Sequence, residues 1–129
     1  MIYDAHGVNV VTGKVVIIED DELMSSILVE MLTDMGGSCV SFITADDALM
    51  NMLQDNTPCS LVVTDHTLPG QLSGHEFALM VKERWPTVPV VVTSGFGFNI
   101  VGELPAGAVF LPKPWSVQQM VEAVIFLVK

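Results

Sequence analysis

Charged and hydroxyl side chains stand at the ends of several short apolar runs in this sequence. The run KVVII is followed by four consecutive acidic residues, Glu19–Glu22, and the run SLVVT is followed by Asp65. Thr93 and Ser94 close the run VPVVVTS, and Lys113 stands just after the run AVFLP. Carboxylates, hydroxyls and a lysine ammonium are the groups that bind divalent cations and phosphoryl groups in proteins.

Phosphoryl transfer is the chemistry that these residue types predict. Acidic side chains brought close together repel one another, and a hard divalent cation such as Mg²⁺ relieves that repulsion. An aspartate whose charge is neutralised in this way is able to attack phosphorus and become an aspartyl phosphate. Lys113 and Thr93 supply the cation and the hydroxyl donor that the new phosphoryl oxygens require. The fold must therefore bring these groups to Asp65.

Strand and helix patterns alternate along the chain from Lys14 onwards. Five short apolar runs predict strands, and helical spacing of apolar residues separates most of them. The segment SGFGFNIVGELPAG, residues 94–107, predicts a short helix at most. Five strands alternating with five helices indicate a parallel sheet covered on both faces. Functional groups in such sheets gather beyond the carboxyl ends of the strands, where the polar residues above are found.

The composition indicates one soluble domain of 129 residues, half of them hydrophobic. Fifteen acidic residues against five basic ones give a net charge of −10, which disfavours direct binding to nucleic acid. No apolar run approaches the ~18 residues of a membrane span, and the start does not resemble a secretory signal. A cytoplasmic protein without membrane contact is therefore expected. Cys39 and Cys59 are expected to be free thiols.

Four segments resemble the signature blocks of the receiver domains of two-component response regulators. They are VVIIEDDEL, LVVTDHTLPG, VPVVVTSG and FLPKPW. The resemblance covers residues 14–129, leaves 1–13 as an N-terminal tail or linker, and is strongest to stand-alone receivers and those of hybrid histidine kinases. It implies a doubly wound, flavodoxin-like (βα)5 fold of the α/β class with strand order 2-1-3-4-5.

The resemblance also implies a phosphoacceptor and a metal site. Asp65 matches the aspartate that takes a phosphoryl group from a partner's phosphohistidine. Asp20 matches the residue that binds Mg²⁺, or Mn²⁺, directly, and Glu19 the residue that holds it through water. Thr67 matches the position whose backbone carbonyl binds the metal.

Three further residues are assigned roles by the resemblance. Thr93 is expected to hydrogen-bond the phosphoryl group, and Lys113 to pair with it. Thr93 and Phe110 match the switch positions, with phenylalanine replacing the tyrosine often found there. The Lys113–Pro114 bond is expected to be cis.

The resemblance implies a sensor histidine kinase or a histidine phosphotransfer protein as one partner, and a downstream protein as another. The domain is then a signalling domain that catalyses only its own phosphorylation and dephosphorylation. Because the segment before the fifth strand is rich in glycine and nearly uncharged, we expect no phosphorylation-driven dimer through it. Phe96 and Phe98 are candidate partner contacts there, and Glu103 is its one charge.

Other functions remain open at this point. A pseudo-receiver would keep the fold and act as a protein-interaction module without phosphorylation. A haloacid-dehalogenase-like phosphatase needs a second aspartate at the position of Thr67, and a flavodoxin needs a phosphate-binding loop after the first strand. Both patterns are missing from the sequence.

Overall fold

Five parallel strands form one sheet with helices on both of its faces. The computed structural model describes residues 10–95 and 104–128. The elements in chain order are β1 (Gly13–Ile18), α1 (Glu22–Asp34), β2 (Gly37–Phe42), α2 (Ala45–Gln54), β3 (Cys59–Asp65), α3 (Gly74–Arg84), β4 (Val90–Ser94), β5 (Ala108–Pro112) and α4 (Val117–Val128). The strand order is β2-β1-β3-β4-β5, which confirms the predicted fold class and topology.

The central strands are buried on both faces because helices cover each side. Val15 and Ile17 of β1 pack in the core cluster formed with α1 and α4, and Val16 and Ile18 pack in the cluster formed with α2 and α3. None of these four side chains is exposed to solvent. Alternating residues of a strand point to opposite faces, so a continuous apolar run fills both layers. Only the strand ends are left for polar chemistry.

Side-chain caps fix where the helices begin. Ser73 accepts a hydrogen bond from Glu76 N–H at 3.0 Å and Glu76 Oε1 accepts one from Ser73 N–H at 2.9 Å. Ser116 and Gln119 make the same reciprocal pair before α4. Each pair satisfies two backbone donors that the first helical turn leaves without partners. The pair at Ser73 also fixes the end of the loop that follows Asp65.

The structure differs from the sequence patterns in small ways at the edges of elements. β3 reaches Asp65 itself, and Val11, which precedes β1, is buried with its N–H donating to Met35 O at 3.1 Å. The short helix predicted within residues 94–107 falls mainly on residues 96–103, outside the described residues. Cys39 and Cys59 are free, as predicted.

Candidate functional site

The polar residues predicted from the sequence gather at the carboxyl edge of the sheet. Glu19 and Asp20 follow β1 directly, and Asp65 is the last residue of β3. Thr93 of β4 is the register partner of Asp65, and Lys113 comes directly after β5. The parallel register is what brings residues from four separate strand ends to one place.

Three carboxylates form a compact acidic cluster at this edge. Glu19, Asp20 and Asp65 each offer one oxygen, and the three oxygens lie within 4.8 Å of one another. Glu19 and Asp65 are buried, with 3% and 8% of their surface exposed, whereas Asp20 is exposed. Three oxygen donors with an exposed side suit Mg²⁺, which binds few carboxylates and keeps several water ligands. The side chains present therefore fit the predicted cation.

The electrostatic cost of this cluster is visible at Glu19. Burial raises the pKa of the Glu19 carboxyl above its usual range, and the nearby charge of Asp65 acts in the same direction. The N–H of Asp21, which donates to Glu19 Oε2 at 3.0 Å, and the ammonium of Lys113 oppose the rise. Removing a carboxylate from water disfavours its charged form, so a cation at this position stabilises the site.

Lys113, which directly follows β5, supplies positive charge to the cluster. Its Nζ lies 3.1 Å from Asp65 Oδ2 and 3.3 Å from Glu19 Oε1. Burial disfavours the charged ammonium, but the hydrogen bonds and charges of the two carboxylates outweigh burial and raise the pKa of Lys113. The backbone N–H of Lys113 donates to Ser94 O at 3.0 Å, and the Lys113–Pro114 bond is cis, as the resemblance implies.

The backbone around Asp65 is held by its neighbours. The N–H of His66 lies 2.8 Å from Thr93 O and 2.9 Å from Asp65 Oδ1. The N–H of Gly74 donates to His66 O at 2.8 Å. A Cβ atom at position 74 would collide with the backbone carbonyl of Asp65, so glycine alone permits this approach of α3 to the end of β3. The phosphoacceptor candidate is thus fixed from both β4 and α3.

The remaining candidates lie around this centre. Thr93 is buried, with 2% of its surface exposed, and Thr67 is exposed in the loop between β3 and α3. Phe110 is half-buried on β5, opposite Val92, and packs against the core cluster on the α2 and α3 face. Phe110 is therefore part of the hydrophobic packing on that face and not one of the carboxylate cluster residues. The roles of Thr67, Thr93 and Phe110 stay predictions.

Three residues named from the sequence cannot be placed in this arrangement. Phe96, Phe98 and Glu103 lie outside the described residues, so the face predicted to contact a downstream partner is described only in part.

The sequence patterns did not indicate a contact between α2 and the loop after Asp65. Asp46 Oδ1 accepts hydrogen bonds from the N–H groups of Gln71, at 3.0 Å, and Leu72, at 3.3 Å. An acidic residue in the first turn of a helix is ordinarily explained by the helix dipole. Asp46 and Gln71 are 25 positions apart, and the sequence between them carries no pattern that would have predicted the contact.

Two histidines also meet beside the phosphoacceptor candidate. The rings of His66 and His75 are arranged edge to face with their centroids 6.3 Å apart. The Nδ1 atom of each is buried without a hydrogen-bond partner among the described residues. Their separation in sequence matches no metal-binding spacing, so no sequence pattern indicated that they would meet.

Comparison with known proteins identifies the family of the chain. The family model described as "Response regulator receiver domain" matches residues 15–125. The chain belongs to the response regulator receiver domain family. Receivers of this family are signalling domains of two-component systems, and they interact with kinases or phosphotransfer proteins and with downstream effectors.

The receiver is similar to parts of larger regulators and to isolated receiver structures. It is 31% identical over 113 residues to the hydrogenase transcriptional regulatory protein HoxA of Cupriavidus necator, covering 84% of this chain and 23% of that protein. The chain thus spans about a quarter of the length of the curated relatives that it matches.

Solved structures share the fold. A response regulator receiver protein from Sinorhizobium medicae matches with a TM-score of 0.83 and 23% identity, covering 91% of this chain and 94% of that one. The receiver domain of the hybrid histidine kinase CckA matches with a TM-score of 0.75 and 22% identity, covering 91% of this chain and 100% of that one. Within residues 10–95 and 104–128, no helix is both long and apolar enough to cross a membrane.

Proposed function

We propose that this receiver takes a phosphoryl group from a phosphohistidine of a partner protein onto Asp65 and thereby relays a signal. The donor is a sensor histidine kinase or a histidine phosphotransfer protein. One observation carries the proposal: the ammonium of Lys113 contacts both Asp65 and Glu19, next to the three-carboxylate cluster that includes Asp20. The proposed nucleophile, the proposed cation-binding residues and a positive charge would thus act together at one edge of the sheet.

The transfer step needs few groups. A carboxylate oxygen of Asp65 attacks phosphorus and forms a new O–P bond while the P–N bond of the phosphohistidine breaks. The electron pair of that bond returns to the imidazole nitrogen, which takes up a proton after the transfer. The ammonium of Lys113, 3.1 Å from Oδ2, pairs with the attacking carboxylate of Asp65 and would offset negative charge as the phosphoryl group approaches.

The metal-binding residues would be Asp20, Asp65, Glu19 through water, and the backbone carbonyl of Thr67. Bound Mg²⁺, or Mn²⁺ in its place, would neutralise charge on the incoming phosphoryl group and on the carboxylates. The exposure of Asp20 leaves this side of the cluster open to a cation and to the donor.

After the transfer, the phosphoryl oxygens would be held by residues already beside Asp65. Lys113 would exchange its contact with the carboxylate for one with a phosphoryl oxygen, and the Thr93 hydroxyl would donate to another. Movement of Thr93 would vacate space for Phe110, whose ring is half-buried on the neighbouring strand. A change of packing at Phe110 would then alter the surface presented to a downstream protein.

Labelling with a small phosphodonor tests the proposal without the partner. The receiver is incubated with acetyl phosphate and Mg²⁺, and its intact mass is measured. We expect one phosphoryl group on the wild type, none on Asp65→Asn, and none on the wild type when EDTA replaces Mg²⁺.

The matched control is Asp55→Asn, which makes the same chemical change at the opposite end of the sheet and should label like the wild type. Equal labelling of wild type and Asp65→Asn would contradict the assignment of Asp65. A wild type that takes up no phosphoryl group in the presence of Mg²⁺ would favour a pseudo-receiver that acts only by binding other proteins.

The proposal extends to the setting of the domain. Residues 14–129 would form the receiver, with residues 1–13 as a tail or linker. The receiver would work in the cytoplasm, where the proposed donors present their phosphohistidine. It would catalyse no reaction other than its own phosphorylation and dephosphorylation.

A further inference from the structure

One carboxylate oxygen of α2 holds the far end of the loop that follows Asp65. Asp46 Oδ1 accepts hydrogen bonds from two consecutive backbone donors, Gln71 N–H at 3.0 Å and Leu72 N–H at 3.3 Å. Hydrogen bonds to an ionised acceptor are stronger than those between neutral groups. Asp46 itself lies in the first turn of α2, directly after Ala45, which is completely buried in the core. The acceptor oxygen is therefore attached to a fixed element.

The loop approaches Asp46 at Gly70, a position where a side chain would be strained and crowded. Gly70 has a φ of +95°, a backbone conformation that other residues rarely adopt. A Cβ atom at position 70 would lie 2.5 Å from Asp46 Oδ1 and 3.4 Å from Thr44 Cβ. Three consecutive loop residues, Gly70 to Leu72, are thus in contact with the start of α2.

The near end of the same loop is fixed to a different element. The N–H of His66 donates to Thr93 O in β4 at 2.8 Å, and the carbonyl of His66 accepts from Gly74 N–H at 2.8 Å. Thr67, Leu68 and Pro69 lie between His66, the anchor at the near end, and residues 70–72, the anchor at the far end. Leu68 packs against the core cluster on the α2 and α3 face, and Thr67 is exposed. The position of the Thr67 carbonyl is therefore set by the anchors on either side of it.

We propose that Asp46 is a positioning residue for the metal site: by holding residues 70–72 it fixes the Thr67 carbonyl where the cation of the acidic cluster needs it. The inference rests on the proposed function, because it takes Thr67 to be a metal ligand. Asp46 acts through the loop and is not itself a ligand. Groups that orient metal ligands typically change metal affinity by roughly 10–100-fold when removed.

The test compares two neutral replacements. Asp46→Asn keeps an oxygen that accepts from Gln71 and Leu72, whereas Asp46→Ala removes it. Because both lose the same negative charge, the difference between them reports the hydrogen bonds and not the long-range attraction of Asp46 for the cation. We expect the dissociation constant for Mg²⁺, measured by calorimetry, to rise roughly tenfold in Asp46→Ala relative to Asp46→Asn, the lower end of that range.

The second readout is independent of metal. In ¹⁵N-resolved spectra of the metal-free protein, the amide signals of Gln71 and Leu72 should shift in Asp46→Ala and stay close to the wild-type positions in Asp46→Asn. Asp47→Ala is the control variant, since Asp47 is an exposed acidic residue of the same helical turn. It should leave both the amide signals and the Mg²⁺ affinity near those of the wild type, apart from a small loss due to charge.

Each outcome is decisive. Equal Mg²⁺ affinity in Asp46→Ala and Asp46→Asn, with Mg²⁺ bound by the wild type, would overturn the inference and leave the proposed function intact. Failure of the wild type to bind Mg²⁺ would overturn both. If Asp46→Ala does not fold, Asp46→Glu replaces it, because it keeps the charge and displaces the oxygen by one methylene. Wild-type affinity in Asp46→Glu would then count against the inference.

Discussion

Lys113 and Asp65, 48 positions apart in sequence, are joined by a hydrogen-bonded ion pair with Nζ 3.1 Å from Oδ2. The same ammonium lies 3.3 Å from Glu19 Oε1. Two buried carboxylates thus share one lysine, which supplies part of the positive charge that the cluster requires. A charge balance of this kind makes the stability of the metal-free protein depend on Lys113.

Replacing Lys113 by methionine should destabilise the metal-free protein by about 1–2 kcal/mol. The variant leaves Glu19 and Asp65 buried without their cation, and an unpaired buried charged group costs at least this much. The figure is kept low because Lys113 is 28% exposed and partly solvated. Urea unfolding in EDTA measures the change in the free energy of unfolding.

Saturating Mg²⁺ should reduce the loss of stability in Lys113→Met, because a cation neutralises the same carboxylates. The double variant Glu19→Gln/Lys113→Met should also recover part of the loss in EDTA. If Lys113→Met is as stable as the wild type in EDTA, Lys113 does not balance the charge of the cluster. The same conclusion follows if its loss in the free energy of unfolding is unchanged by Mg²⁺.

Gly74→Ala should destabilise the protein by about 1–3 kcal/mol, the usual cost of overpacking. The added methyl group would meet the backbone of Asp65 and His66, so α3 and the end of β3 must separate. The matched control is Gly95→Ala, which should change stability by less than about 0.5 kcal/mol, since its Cβ would meet no atom of the described residues within 4 Å.

The two glycine variants are compared by urea unfolding and by the rate of labelling with acetyl phosphate. Gly74→Ala should label more slowly because the displaced residue is the phosphoacceptor. Equal stabilities for the two variants would mean that the close approach of α3 to Asp65 does not constrain the site.

Asp55 should contribute to stability in a way that disappears in acid. Its carboxylate accepts from Thr57 N–H at 2.9 Å and pairs with Lys14 Nζ at 3.0 Å. The hydrogen bond from Thr57, followed by those of the other partners, lowers the pKa of Asp55 from 3.8 to about 2. Because the folded-state pKa lies below the unfolded one, this contribution is present above pH ~4 and is lost as the pH falls towards 2.

Asp55→Asn measures that contribution directly. The wild type should be more stable than Asp55→Asn at pH 7, and the difference should shrink between pH ~4 and ~2. Chemical unfolding at several pH values gives the two curves. A constant difference across this range would mean that ionisation of Asp55 does not contribute.

Activation should change the packing of Phe110 without producing a dimer. The ring has no hydroxyl, so an inward position leaves no buried polar group without a partner. With 4-fluorophenylalanine incorporated, the Phe110 signal, assigned with Phe110→Leu, should move when beryllofluoride and Mg²⁺ are added. Sedimentation velocity should show a monomer before and after the addition. A shift to a dimer would instead indicate pairing through the face that contains β5.

The order of elements and the grouping of polar residues at one edge of the sheet were predictable because both depend on local patterns. Apolar runs such as Val15–Ile18 require burial on both faces, and a parallel sheet brings the residues that follow them to one edge. Glu19, Asp20, Asp65 and Lys113 could therefore be grouped from sequence alone, and the structure places them together.

Contacts that depend on the path of a loop were not predictable. Asp46 resembles an ordinary helix-start residue, and its bonds to Gln71 and Leu72 appear only once α2 and the β3–α3 loop are folded against each other. Gly74 looks like a residue after a helix cap, but its lack of a side chain is required by the backbone of Asp65. Sequence patterns report which face of an element is buried, and they do not report such close approaches between distant backbones.

The central claim is that Asp65 itself receives the phosphoryl group, and chemical mapping of the modified residue tests it most directly. The receiver is labelled with acetyl phosphate and Mg²⁺, then treated with borohydride, which reduces an aspartyl phosphate to homoserine at the position that carried it. Peptide mass spectrometry then locates the homoserine. The account predicts homoserine at position 65, and its absence when EDTA replaces Mg²⁺. Homoserine at position 20 or at another acidic residue, with aspartate intact at 65, would contradict it.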